Sequence, residues 1–506
     1  MTRELAKDSV TLSEATFVSI ATMAPGVGAA FAVAAGAGFA GGALSASVVF
    51  ALMGCLFVGL AIGQLAKKIA SAGGMASYLA VAFHGAAGFL AGWGTLLVYA
   101  AAIPYLGLLV GSMLGGALDG ALGLGYTGWW IVGCLLCVGV AALLNFLGAQ
   151  FGTRVGLTLG ALEIIVLLVI SVWMIVKAGD RNGLAVFGTA FANVDGFQGF
   201  SGIIAGAIYA FLAFIGFDAA VPLAEEARDP QKTIARAVVG SVIGVGAFFV
   251  ITTYASTVYF GPEKYSGFLQ YGNGDPWMEM TRNLWGAGWV ILLVTLLSSG
   301  LASANGAGMA ATRTAWALGR ARTLPAGLAR LHQRFASPVI AIAVVFSVAL
   351  AVAIVAGLAF GPVDAFTMMG TVLTVAVLPI YMAVCIACPV YYLRFHRAEF
   401  RVIRHGLLPL LGLAFLLPTF CAGAGIPLFS FVGELSYPMN LAGYIVGAWW
   451  IAGVAAVIYL QMRHPRRLDP AEMIPGHRSV REVASATNEI DVAEYSDVTG
   501  KTEARA

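Results

Sequence analysis

Three sets of residues in this 506-residue chain have the types and spacing to do chemistry. The first is Glu163, in Leu162-Glu163-Ile164-Ile165, a lone carboxylate inside an apolar run. An acid at the centre of a membrane helix costs about 2.5–3.5 kcal/mol, against roughly −0.3 to −0.6 for each Leu, Ile, Val or Phe. Its neighbours offset that cost, so Glu163 stands either as a hydrogen-bonded packing group or as a carrier of a proton or cation. The second set is Met23-Ala24-Pro25-Gly26-Val27-Gly28, a cluster of helix breakers in the middle of another apolar run. The third is Phe214-Ile215-Gly216-Phe217-Asp218, which puts a glycine and a carboxylate at comparable depth. Backbone opened inside a bilayer survives only where protein or a watery cavity satisfies it. Asp218 would either cap amides freed there or serve as a gate or amine-binding carboxylate.

The elements that must position these residues follow from composition. The chain is 60% hydrophobic and 10% charged, with mean hydropathy +0.88. A soluble chain could not cover its surface with so few charges, so the lipid bilayer is part of its solvent. Continuous apolar runs, without period-two alternation, exclude a transmembrane β-barrel. Gly and Pro breaks divide the runs into twelve helices near 15–40, 43–66, 85–112, 128–147, 154–177, 201–221, 235–259, 286–312, 338–360, 364–393, 405–427 and 440–461. The expectation is an all-α integral membrane protein. Thr11-Leu12-Ser13-Glu14 reads as a capping box that starts helix 1, and Asp229-Pro230 as the start of helix 7. The two interrupted spans are the first and the sixth. An inverted repeat of five plus five helices puts such breaks around a central site; packing kinks are the bland alternative.

The expected division is a cytoplasmic N-terminus over 1–14, repeat 1 over 15–177, and an extracellular loop over 178–200. Repeat 2 follows over 201–393, then helices 11 and 12 over 405–461 and a disordered cytoplasmic tail over 462–506. With the N-terminus inside, 24 of the 28 lysines and arginines fall in cytoplasmic segments, leaving Lys177, Arg181, Lys264 and Arg282 outside. That asymmetry supports the helix count and puts both termini in the cytoplasm, in the plasma membrane. The six cysteines all lie in apolar runs, two pairs at CxxC spacing without a polar neighbour, and read as packing rather than as metal ligands or disulfides. A net charge of +3 gives no sign of a nucleic-acid partner. No nucleotide-binding loop, nucleophile elbow or HExxH motif occurs, so an enzyme is not expected. A channel would show a filter repeat or a ring of like charges; a sensor would carry a folded signalling domain.

The sequence resembles the amino acid–polyamine–organocation (APC) family of secondary transporters over nearly all of the first ten helices. The stretch Phe214–Asp218, with Leu223-Ala224-Glu225-Glu226-Ala227-Arg228-Asp229-Pro230 and Thr233-Ile234, is similar to that family's helix 6 signature. Ser71–Gly74 with Tyr78, Gly88–Trp93, Asn145–Gly148, and Asn305 with Arg313, Arg320 and Pro325 add four more motifs in the family's order. The resemblance implies a LeuT-like fold, with substrate held between the breaks of helices 1 and 6 while a bundle rocks to alternate access. It implies a substrate-binding set of Ala24, Gly26, Val27, Gly28, Phe214, Ile215, Gly216 and Asp218, with helix 1 amides meeting a carboxylate and helix 6 carbonyls an amine. Pro25 stands in the family's Gly-x-Gly and has no amide to donate. Leu212 stands where many members carry an aromatic gate, flanked by Phe211 and Phe214; Glu225 and Glu226 sit at the expected cytoplasmic mouth. Some relatives place a lysine at the position of Glu163, so the coupling set is Glu163 with Ser299 and Ser303, the serines reading equally as packing.

The implied function is a permease for an amino acid or related organic amine, with no cofactor and a proton gradient as the expected energy source. A polyamine importer or an exchanger of the same fold is the alternative; a non-transporting sensor or a channel is a more distant one.

Overall fold

A computed structural model describes residues 10–464 and 468, apart from 70, 72, 120, 148–152, 273, 321, 333–334 and 336. Residues 1–9 and 469–506, with most of the expected termini, lie outside it. Among the described residues, twelve helices are long and apolar enough to cross a membrane. They are α1 (Leu12–Val33), α2 (Leu44–Ala66), α3 (Gly85–Leu118), α4 (Tyr126–Leu147), α5 (Thr153–Ala178) and α6 (Phe200–Phe214, continued by Phe217–Glu225). The second six are α7 (Pro230–Phe260), α8 (Trp289–Arg320), α9 (Val339–Phe360), α10 (Pro362–Phe395), α11 (Val402–Ala424) and α12 (Leu441–Arg463).

The local signals act as the residues dictate. Thr11 caps α1, its Oγ1 accepting from the Glu14 amide while the Glu14 carboxylate accepts from the Thr11 amide. Asp229 caps α7 by accepting from the Lys232 amide, with Pro230 in the first turn. Asp275-Pro276 repeats that signal and starts a short helix, Pro276–Trp285, before α8. That helix and another at Gly74–Ala82 are absent from the sequence-based map, being too short for the apolar-run criterion. The second half of α6 forms 3-10 turns around Pro222, rather than continuing as α-helix.

Packing divides the spans into two groups. Helix α7 packs on α1, α2 and α6, and α6 packs on α1 and α2; α3, α4, α8 and α9 pack on one another. Helix α5 packs on α7 and α8, and α10 packs on α2 and α3. Exchanging each helix with the one five places away maps most of these contacts onto one another. Five is an odd number of spans, so the second set enters from the opposite face. This is the five-plus-five inverted repeat, with α11 and α12 added against α10.

An even number of spans puts the start of α1 and the end of α12 on one face, the terminal face. Here the chain before α1 is tied to the segment after α6. The Val10 amide donates to the Glu226 carbonyl at 3.0 Å, and the Arg228 amide donates to the Val10 carbonyl at 3.3 Å. Across the same pair of half-helices, the Ala220 amide donates to Ser19 Oγ at 3.2 Å.

Candidate functional site

The break in α1 centres on Ala24, which has left-handed backbone (φ +45°) between Met23 and Pro25. Pro25 brings no amide and starts the second half of the helix, which runs through π-helical turns at Gly28–Val33. The amides next in line are those of Gly26, Val27 and Gly28. Gly28 donates back to the Ala24 carbonyl at 2.8 Å. The other two face Glu163.

Glu163 of α5 is 2% exposed. Its Oε1 accepts from the Val27 amide at 3.2 Å. The Gly26 amide and the Ser299 hydroxyl of α8 lie within hydrogen-bonding reach of the same carboxylate. Gly26 is glycine for a steric reason as well, since a Cβ there would overlap the Glu163 carboxyl group. A carboxylate on these freed helix-start amides satisfies donors that Pro25 and the break leave open. Ser303 lies one turn further along α8, half-buried. Ser298 donates to the Thr295 carbonyl within its own helix.

The break in α6 falls at Ile215-Gly216. Gly216 has φ +110°, and a Cβ on it would lie 2.7 Å from Thr22 Cγ2 of α1. Both the backbone angle and the approach of the two broken helices therefore require glycine. Gly216 takes the N-cap position of the following turns. Asp218, two residues on and buried, accepts from the Tyr381 hydroxyl of α10 at 3.0 Å, and the Phe217 and Tyr381 rings lie 5.1 Å apart. Amides of Gly216 and Asp218 also reach the carboxylate, so it both satisfies freed backbone and ties α6 to α10. Cys55 of α2 and Tyr99 of α3 lie close enough to interact with its charge. Tyr381 and Tyr99 are residues that the sequence reading missed. Each is one tyrosine in a long apolar helix, with nothing local to mark it.

The three expected gate side chains on α6 diverge. Phe211 packs into the space left by Gly54 of α2, and Phe214 meets Phe249 of α7 edge-on at 5.3 Å. Leu212 alone reaches toward α10, where it packs against Gly370, beside Tyr105 of α3. Beyond this level Phe39 stacks on Tyr209 at 5.4 Å, and Tyr209 shares a 3.0 Å hydrogen bond with Thr371. Phe31 to Ala35 and the first half of α6 from Gly202 are buried, whereas Ala21 and Thr22, on the terminal side of the break, are exposed. Glu226 serves the terminal face through its backbone; the side chain of Glu225 lies outside the described residues.

Twelve spans, an inverted repeat and two facing breaks with buried carboxylates define a polytopic membrane protein of the broken-helix class. The chain belongs to the amino acid permease family, whose sequence model matches residues 10–456. It is 29% identical over 316 residues to the branched-chain amino acid permease BcaP of Lactococcus lactis, covering 58% of this chain and 65% of that protein. It is 26% identical over 319 residues to the low-affinity putrescine importer PlaP of Escherichia coli, covering 62% and 67%. Against the serine/threonine exchanger SteT of Bacillus subtilis it is 25% identical over 299 residues, covering 58% and 64%. The matches thus span about two thirds of each relative.

Proposed function

We propose that the protein is a secondary active transporter that moves an amino acid or related organic amine across the plasma membrane by alternating access, with Glu163 as the proton-coupling group. Membership of the family and the names of the three relatives support the transport reading. The observation that carries the coupling reading is the Glu163 carboxylate on the Val27 amide. That amide belongs to the set that the family resemblance gives to the substrate's own carboxylate.

A substrate carboxylate arriving at the α1 break competes with Glu163 for the Gly26 and Val27 amides. Displaced from them into apolar surroundings, Glu163 is best accommodated as a neutral acid, so it takes up a proton as the substrate binds. Substrate and proton then cross together. With Ala21 and Thr22 exposed and the opposite side closed by aromatic packing, this conformation opens toward the terminal face. The distribution of basic residues supports assigning that face to the cytoplasm. A polyamine importer or an exchanger is the second reading, favoured by the names of PlaP and SteT. Radiolabelled uptake into proteoliposomes over a panel of amino acids and diamines, with and without a pH gradient, tests both. Accumulation of an amino acid only under the gradient supports proton symport; gradient-independent counterflow favours exchange.

A further inference from the structure

On the terminal face, the end of α2 and the linker between α10 and α11 gather basic side chains. Lys67 and Lys68 close α2, and residues 394–405 add Arg394, Arg397, Arg401 and Arg404. Glu399 is the one acid in these segments, and Lys68 already binds it at 2.7 Å. Lys67, Arg401 and Arg404 each lie close enough to His405 to act on its charge, so three cations from two elements converge on one ring. Among the described residues Arg401 and Arg404 have no carboxylate partner, and Lys67 Nζ donates to the neutral Gln64 Oε1 at 3.2 Å. The backbone carrying these cations is held in place. His405 is buried, stacks on Tyr392 of α10 with ring centroids 3.7 Å apart, and accepts from the Arg401 amide through Nδ1 at 3.0 Å. Tyr392 in turn donates to the Gln64 carbonyl of α2 at 3.0 Å. Between the two arginines, Val402 and Ile403 are 72% and 64% exposed. At the start of a membrane span such apolar side chains meet acyl chains, while neighbouring arginines reach the headgroups.

We propose that Lys67, Arg401 and Arg404 form a binding site for the headgroup of an anionic phospholipid in the leaflet at the terminal face. The site stands apart from the breaks in α1 and α6 and does not depend on the transport reading. A phosphodiester supplies the negative charge that these cations lack, and its oxygens suit the paired donors of a guanidinium, with Lys67 adding a point charge. Val402 and Ile403 sit where the acyl chains of that lipid begin, a contact that a free phosphate cannot make. A zwitterionic lipid brings its own cation to the same cluster, so its net attraction is smaller. The bound headgroup would join α2 to the α10–α11 linker, the two elements that Lys68 and Glu399 already join. Lipid binding should therefore stabilise the folded protein.

The test titrates phosphatidylglycerol, phosphatidylcholine and glycerophosphoglycerol separately into the purified full-length protein in neutral detergent, following bound lipid by native mass spectrometry together with the unfolding temperature. Phosphatidylglycerol should bind and raise the unfolding temperature more than phosphatidylcholine does. Glycerophosphoglycerol, which has the same charged headgroup without acyl chains, should do neither. R401Q/R404Q should weaken phosphatidylglycerol binding by about tenfold or more. R330Q, which removes an exposed arginine elsewhere on the same face, should leave it unchanged. Should R401Q/R404Q not fold, K67Q removes the third cation from α2 and should weaken the lipid by about fivefold. Unchanged affinity in these variants, or equal binding of phosphatidylcholine, would overturn the proposal. An equal loss in R330Q would reduce the effect to general surface charge and overturn the site. Glycerophosphoglycerol binding as tightly as the lipid would assign the cations to a free phosphate ligand and overturn it as well.

Discussion

Glu163 and Val27 lie 136 residues apart in the chain and meet at 3.2 Å, carboxylate to amide, at the point where helix α1 is broken. The break frees the amide because Pro25 and the left-handed Ala24 prevent the preceding turn from using it. One buried acid thereby joins α5 to the first broken helix, and through Ser299 to α8.

Gly26 gives the first prediction. A methyl group at this position overlaps the Glu163 carboxyl group. Gly26→Ala should abolish uptake at unchanged expression and membrane insertion. The double variant Gly26→Ala/Glu163→Ala, which restores room, should recover substrate binding by thermal shift but no accumulation under a pH gradient. Normal uptake by the single variant would show that the close approach of Glu163 to Gly26 is not needed for transport. Gly28 is a poorer probe, since a Cβ there would press on Phe249 of α7.

The Tyr381–Asp218 pair predicts a stability effect. Removing the hydroxyl leaves a buried carboxyl without that donor, a change that costs about 1–3 kcal/mol. Tyr381→Phe should therefore lower the unfolding temperature of the purified protein. Adding Asp218→Ala should cost less than it does alone, because the Tyr381 contact that it removes is already gone, while the contacts with the Gly216 and Asp218 amides are lost in either background. Additive losses would mean that the 3.0 Å contact contributes nothing.

At the terminal face, Lys68 at the end of α2 binds Glu399 in the α10–α11 linker at 2.7 Å and holds that carboxyl below its ordinary range. A depressed folded-state value means that the contribution is present at neutral pH and fades as the pH falls through that value. Glu399 is more than half exposed, so the pair is worth about 0.5 kcal/mol or less. Glu399→Gln should lower the unfolding temperature slightly at pH 7, and parent and variant should converge in acid. A difference that grows toward acid pH would contradict the assignment.

Orientation is checked by cysteine labelling, which is clean here because the six native cysteines are buried. Cysteines placed at the exposed positions Lys264 and Arg330 should label from outside and inside the cell, respectively. Labelling of both from one face would overturn the topology.

Much of this architecture was legible because its causes are local. The Thr11–Glu14 capping box, the Asp229-Pro230 start and the Gly and Pro breaks act within one or two turns, and apolar runs mark the spans. The Asp275-Pro276 signal was equally local, but the helix that it starts is too polar to stand out as a span. What stayed hidden depends on packing between distant segments. Nothing near Glu163 indicates that it would face Gly26 and Val27, and nothing near Asp218 points to Tyr381. Phe211, Leu212 and Phe214 lie within one turn, yet helical geometry sends them to three different neighbours.

The most direct test of proton coupling is accumulation of the best-binding amino acid in proteoliposomes under an inward proton gradient, comparing the parent with Glu163→Gln. The glutamine keeps the shape and can still accept from the Val27 amide, but it cannot carry a proton. The variant should bind substrate and exchange it across the membrane, yet fail to concentrate it under the gradient. Concentration equal to that of the parent would show that Glu163 is a packing residue and that coupling resides elsewhere.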